Sequence, residues 1–137
     1  MPNQVTRDAT DGQAPGIPSH AQGLSRRQRI TEPAVYREAF EGAAFAGRYL
    51  VMRVRRGPGA ALRLGVVAGK RALNRSVDRS RAKRLLREAY RLNRARFAGA
   101  CDVVLIARAA IRGVTRQAVE EDLLKQARRA GLLGEKA

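Results

Sequence analysis

Carboxylates, cysteines and histidines are all scarce in this chain. There are 12 Asp and Glu against 28 Lys and Arg, one Cys and one His in 137 residues. A single cysteine, Cys101, excludes an intrachain disulfide and suits a reducing compartment. It opens an apolar run, so a small packed thiol is expected there. The one histidine, His20, lies in a polar stretch rich in Gly and Pro, which is a poor setting for a metal ligand or a general base. The only acidic cluster, Glu120 to Asp122, has consecutive residues that diverge around a helix. It therefore does not read as the converging carboxylates of a metal-dependent nuclease. No apolar run approaches the ~18 to 20 residues that cross a bilayer, and residues 1–23 hold no apolar stretch of the secretory kind. These absences predict a cytoplasmic chain with no catalytic centre of its own, no bound metal and no membrane association.

What the chain has in excess is positive charge. The formal net charge is +16 and the pI is near 11.6. Such a charge repels itself, so a polyanionic partner is the natural counterpart. The excess is also concentrated: residues 70–96 carry eleven basic and two acidic residues, nine of the sixteen net charges.

The hydrophobic pattern predicts an α+β sandwich of order α-β-β-α-β-α, with a possible further short strand near "AAFAG". Residues 1–23 are expected to form a disordered tail, 24–133 one folded domain and 134–137 a short C-terminal tail. A helix is predicted over 31–41, capped by Thr31, with Pro33 in its first turn. "GRYLVMRVRR" reads as a strand with Leu50, Met52 and Val54 on one face and Tyr49, Val51 and Arg53 on the other. "LRLGVVAGK" reads as its antiparallel hairpin partner across the "GPGAA" turn. "CDVVLIARA" is a strand buried on both faces. The last helix begins at a Thr115 cap, and Gly131 stands just past its end.

The segment "SVDRSRAKRLLREAYRLNR" (Ser76–Arg94) is a helix with two different sides. At about 100° per residue, Ala82, Leu85, Leu86, Ala89, Leu92 and Asn93 fall together and form the core side. Lys83, Arg84, Arg87, Arg91 and Arg94 fall opposite them in a sector about 100° wide. A solvated face would mix signs, and this one does not, so the stripe predicts an anionic ligand. Arg79 and Arg81 stand in the first turn, where the helix dipole disfavours cations. Guanidinium forks at an exposed helix N-terminus suit phosphate, with Lys70, Arg71 and Arg75 leading into the same end. An anionic membrane is the weaker candidate partner, because the other helix side is Ala/Leu core without an interfacial apolar wedge.

The same residues carry a resemblance. "SVDRSRAKRLLRE" is similar to the signature A-V-x-R-N-R-x-K-R-x-x-R-E of the bacterial ribonuclease P protein component. Val77, Arg79, Arg81, Lys83, Arg84, Arg87 and Glu88 match it. Ser76 stands for the Ala and Ser80 for the Asn. "LSRRQRI", "AVYREAF", "RLGVVAGKR" and "GACDVVLIAR" resemble further blocks of that family in the same order, so the likeness runs from about Leu24 to Leu133. It implies a fold with a left-handed βαβ crossover. It also implies a role as accessory subunit of an endoribonuclease whose catalysis resides in an RNA subunit, with Mg2+ required by the ribonucleoprotein rather than held by the protein. The implied partners are the ribonuclease P RNA and the 5′ leader of precursor tRNA. By carry-over, Arg71, Arg79, Ser80, Arg81, Lys83, Arg84 and Arg87 face the catalytic RNA, and Arg91 and Arg94 extend that surface by the wheel alone. A leader-binding cleft is implied at Tyr36 and Phe40, with Met52 as the nearest aligned residue on the sheet wall. Without the resemblance, the charge equally fits a structural RNA-binding protein of the ribosomal type.

Overall fold

The computed structural model describes residues 26–99 and 101–133; the predicted tails, 1–23 and 134–137, lie outside the described residues. Helix α1 spans Pro33–Phe40, strand β1 Ala43–Ala46, β2 Leu50–Arg55, β3 Leu64–Val67, helix α2 Ser76–Asn93, β4 Asp102–Ala107 and helix α3 Arg116–Arg129. The predicted α+β architecture is present, and the short strand near "AAFAG" is β1.

The sheet order is β1-β2-β4-β3, with β1–β2 and β2–β4 antiparallel and β3–β4 parallel. The expected β2–β3 hairpin is therefore not formed. Strand β4 lies between the two, pairing Leu105 with Met52 on one side and with Val66 on the other. The physical reason is burial. Val103, Leu105 and Ala107 belong to the apolar cluster on one face of the sheet, and Val104 and Ile106 to the cluster on the other. A strand that is apolar on both faces is most stable at the centre. Strand β3 then joins β4 in parallel, and helix α2 supplies the crossover that parallel pairing needs.

Local signals explain the helix ends. Glu32, not Thr31, is the N-cap of α1, and its side chain makes no capping bond. The residue before a proline favours extended backbone, and Glu32 has φ −100° and ψ 128°, so the helix starts only at Pro33. For α3 the reading holds: Thr115 Oγ1 accepts from Ala118 N at 3.2 Å, and Gly131 follows the helix at φ +74°.

The larger core lies between the sheet and α2 and α3. It contains Leu50, Met52 and Val54 of β2 with Leu86, Ala89, Val119 and Leu123. On α2 the wheel needs one shift. Leu92 is 46% exposed, whereas Tyr90 is fully buried. Tyr90 packs edge-on against Phe97 at 5.3 Å, which draws the core side of the helix toward it. The smaller core, under α1, consists of Ile30, Val35, Ala39 and Val104, with Tyr36, Val67 and Ile106 partly covered beside it.

Candidate nucleic-acid interface

The cations of α2 sort into two kinds. Arg79 Nη1 donates to the carbonyls of Leu73 and Asn74, at 2.9 and 2.8 Å, and Arg81 Nη2 donates to Val114 O at 2.7 Å. These bonds offset the unfavourable dipole position and tie the start of α2 to its flanking loops. Arg91 pairs with Glu88 at 2.6 Å. Arg94 Nη2 and Tyr90 Oη both donate to Leu62 O at 3.3 Å, which helps hold Leu62 in a left-handed conformation, φ +54°. These four arginines are braced by the protein. A guanidinium has five N–H donors, so bracing fixes its position without exhausting it.

Arg71, Arg84 and Arg87 are exposed and have no side-chain partner among the described residues, and the same holds for Lys70 and Arg75. Ser80 is exposed beside them and Lys83 is half-buried. The part of the predicted stripe without such partners is thus narrower than the wheel alone suggested.

A second surface lies along α1. Phe40 is 42% exposed, Tyr36 is half-buried, and they border a groove lined by Thr31, Pro33, Tyr36, Arg37, Phe40 and Glu41. The position of Tyr36 depends on Gly65. A Cβ at Gly65 would stand 2.6 Å from Tyr36 Cε1 and Oη, so only glycine lets the ring lie on β3.

Met52 is not part of this surface. It is 0% exposed and sits in the α2/α3 core, on the other side of the sheet from α1. The β2 residue on the α1 face is its neighbour Arg53. Arg53 Nη1 donates to Phe40 O at 2.7 Å and to Gly42 O at 3.2 Å, and its guanidinium lies 5.8 Å from the centre of the Phe40 ring. Arg53 thereby holds the C-terminal end of α1 and its aromatic side chain. The two-residue alternation of β2 already put Arg53 opposite Met52; what it lacked was which face α1 covers.

The two surfaces meet at the outer edge of β3. Arg29 forms a parallel bridge with Leu64, and Ile30 N donates to Leu64 O at 2.9 Å. Burial raises the Tyr36 phenol above the ordinary tyrosine value, and Arg87 partly offsets it. Arg87 keeps solvent access, yet crowding by the surrounding protein holds its guanidinium below the ordinary arginine value. Tyr36 opposes that shift, and the Arg29 and Arg84 cations reinforce it.

The carboxylates nearest the sheet are committed elsewhere. Asp102 is fully buried and receives Arg55 Nη1 and Arg63 Nη2, each at 2.9 Å, together with the amides of Ala61 and Arg63. Asp122, from the acidic cluster, accepts from Tyr49 N at 2.8 Å and Gln126 Nε2 at 3.0 Å, which clamps the β1–β2 turn. Glu120 pairs with Arg116 at 2.6 Å. Among the described residues no group of three His, Cys, Asp or Glu is placed to hold a metal ion. Cys101 is buried, and that burial pushes its thiol pKa up. No described helix is long and apolar enough to cross a membrane. The arrangement offers cations, stacking faces and hydrogen-bond donors, which is the chemistry of holding a polyanion.

Comparison with known proteins points the same way. A family described as Ribonuclease P matches residues 24–131. The ribonuclease P protein component of Thioalkalivibrio sulfidiphilus is 38% identical over 93 residues, covering 67% of this chain and 77% of that protein. That of Methylococcus capsulatus is 34% identical over 93 residues, covering 67% and 72%. Among solved structures, the RNase P protein from Thermotoga maritima superposes with a TM-score of 0.65 at 25% identity, covering 74% of this chain and 96% of that one. The Staphylococcus aureus RNase P protein gives a TM-score of 0.68 over 78% and 98%, and at 24% identity it speaks for the fold.

Proposed function

The chain belongs to the bacterial ribonuclease P protein family, the protein subunit of an endoribonuclease of tRNA processing, and from that premise we propose a division of labour between its two surfaces. The α2 surface binds the ribonuclease P RNA. Arg71, Arg84 and Arg87 supply unpaired charge, Ser80 and Lys83 lie among them, and Arg79, Arg81, Arg91 and Arg94 are donors held in place by the fold. The α1 groove takes the single-stranded 5′ leader of precursor tRNA.

The observation that carries this reading is the half-buried Tyr36 ring and the open Phe40 ring beside unmatched cations. Tyr36 lies on Gly65 and Phe40 is steadied by Arg53. Bases stack on such rings whatever their identity, at ~1–3 kcal/mol per base. A groove of that kind tolerates leaders of any sequence. The protein contributes binding and orientation. The magnesium ions required for hydrolysis belong to the ribonucleoprotein, and the buried acids Asp102 and Asp122 are engaged in this chain's own fold.

The test is reconstitution with a bacterial ribonuclease P RNA at low magnesium. Precursor-tRNA cleavage is expected to rise, and no rise would refute the assignment. Within that assay, Tyr36→Ala should weaken a long-leader substrate more than a leaderless one. Equal loss on both would remove Tyr36 from the leader path.

A further inference from the structure

Arg29 was not among the residues singled out from the sequence, yet it stands where the two surfaces join. Its main chain bridges Leu64, the residue before the glycine that carries the Tyr36 ring. From the far side of the sheet, Arg87 of α2 comes within electrostatic reach of both Tyr36 and Arg29, with Arg84 one turn before it. Arg29, Arg84 and Arg87 are all exposed. Among the described residues none of them lies within ion-pair distance of a carboxylate.

Several other arginines are matched by carboxylates. Arg55 and Arg63 share Asp102, Arg91 has Glu88, and Arg116 has Glu120. Gathering like charges without a counter-ion costs free energy, so the cluster at the β3 edge suits an anionic ligand. Two guanidinium forks and a phenol O–H along one strand edge supply donors of the sort that a phosphodiester oxygen accepts.

We propose that the outer edge of β3, with Arg29 bridged to it, the Tyr36 hydroxyl against Gly65 and Arg87 on the adjoining helix, is a phosphodiester-binding node that links the α1 groove to the α2 surface. It rests on the reading of those two surfaces given above, and it adds Arg29 as a contact residue. A strand leaving the groove would pass one phosphate across this edge, so that α1, β3 and α2 grip the same backbone. The phosphate is supplied either by the leader or by the catalytic RNA, and the chemistry is the same.

The experiment uses the reconstituted holoenzyme and three variants, Arg29→Ala, Arg29→Lys and Tyr36→Ala. The Arg29 side chain is exposed and its main chain makes the bridge, so the fold should survive, as circular dichroism will show. Precursor tRNAs carry single neutral methylphosphonates stepped along the leader. If the leader supplies the phosphate, one position should cost the wild type about tenfold in affinity, the scale of a charge-assisted hydrogen bond. Arg29→Ala should lose the same factor on the unmodified substrate and be indifferent to that modification, and Arg29→Lys should recover part of it. If the catalytic RNA supplies it, Arg29→Ala should instead weaken the protein's affinity for that RNA and lower its salt slope by about one. Unchanged affinity for both RNAs overturns the node. Should Tyr36→Ala still discriminate by leader while Arg29→Ala is neutral, the node alone falls. Should Tyr36→Ala not discriminate, the groove reading falls, and the catalytic-RNA arm decides the node.

Discussion

On the α2/α3 side of the sheet, Leu50, Met52 and Val54 are sealed beneath two helices, and Tyr90, Leu86 and Leu123 close over them without solvent access. On the α1 side, one eight-residue helix buries only Val35 and Ala39, leaving Tyr36 half-buried and Phe40 open. Both faces belong to the same four strands. The side with two long helices holds the domain together. The side with one short helix keeps apolar rings available, because too little chain lies there to cover them. Opposite faces of one sheet thus differ in how completely helices cover them.

Substitutions can break or sharpen that contrast. The largest effect is expected from Leu86→Ala, which removes a fully buried side chain from the deep core and should cost ~2–5 kcal/mol in a urea titration. A cost no greater than that of Val35→Ala on the thin side would deny that the two faces differ. Next comes acidification. Burial alone would raise the Asp102 pKa, but hydrogen bonds from Arg63, Ala61 N and Arg55 outweigh it and hold the carboxyl below the ordinary value. Its stabilising contribution is therefore fully present above the unfolded carboxylate pKa of ~3.9 and is lost as pH falls through the lower folded value. Thermal stability should drop steeply in that acid window, and Asp102→Asn should be less stable at neutral pH with a shallower acid slope. An unchanged acid slope would show that the Arg55–Asp102–Arg63 link does not carry this dependence.

On the thin face, Gly65→Ala should displace the Tyr36 ring and reduce affinity for leader-bearing substrate by up to ~1–3 kcal/mol, the worth of one stacked base. Leaderless substrate should be little affected, and equal losses would separate Gly65 from the groove. The smallest effect belongs to Met52→Leu, a volume-conserving change in the deep core that should cost less than ~1.5 kcal/mol in stability. It should leave leader binding unaltered. A leader-specific defect there would contradict the placement of Met52.

Much of this was legible in the chain itself. The period of α2, the Thr115 cap, the charge concentrated in 70–96 and the family signature all depend on residues close in sequence, where helical spacing and capping act. Met52 and Arg53 show the limit. Alternation along β2 assigns them to opposite faces, but it cannot say which face α1 covers. The arginines show it again. The family signature placed Arg79, Arg81, Arg84 and Arg87 together on one surface. Yet Arg81 is tethered to Val114 and Arg94 to Leu62, carbonyls about thirty residues distant, while Arg84 and Arg87 have no such partner among the described residues. By itself, then, the sequence determined a basic α+β domain of this family with one cationic helix. Only the tertiary structure decided that β4 separates β2 from β3, that Gly65 seats Tyr36, and that Arg29 bridges Leu64 at the β3 edge. Those outcomes are set by burial and pairing between segments far apart in the chain, which local periodicity does not encode.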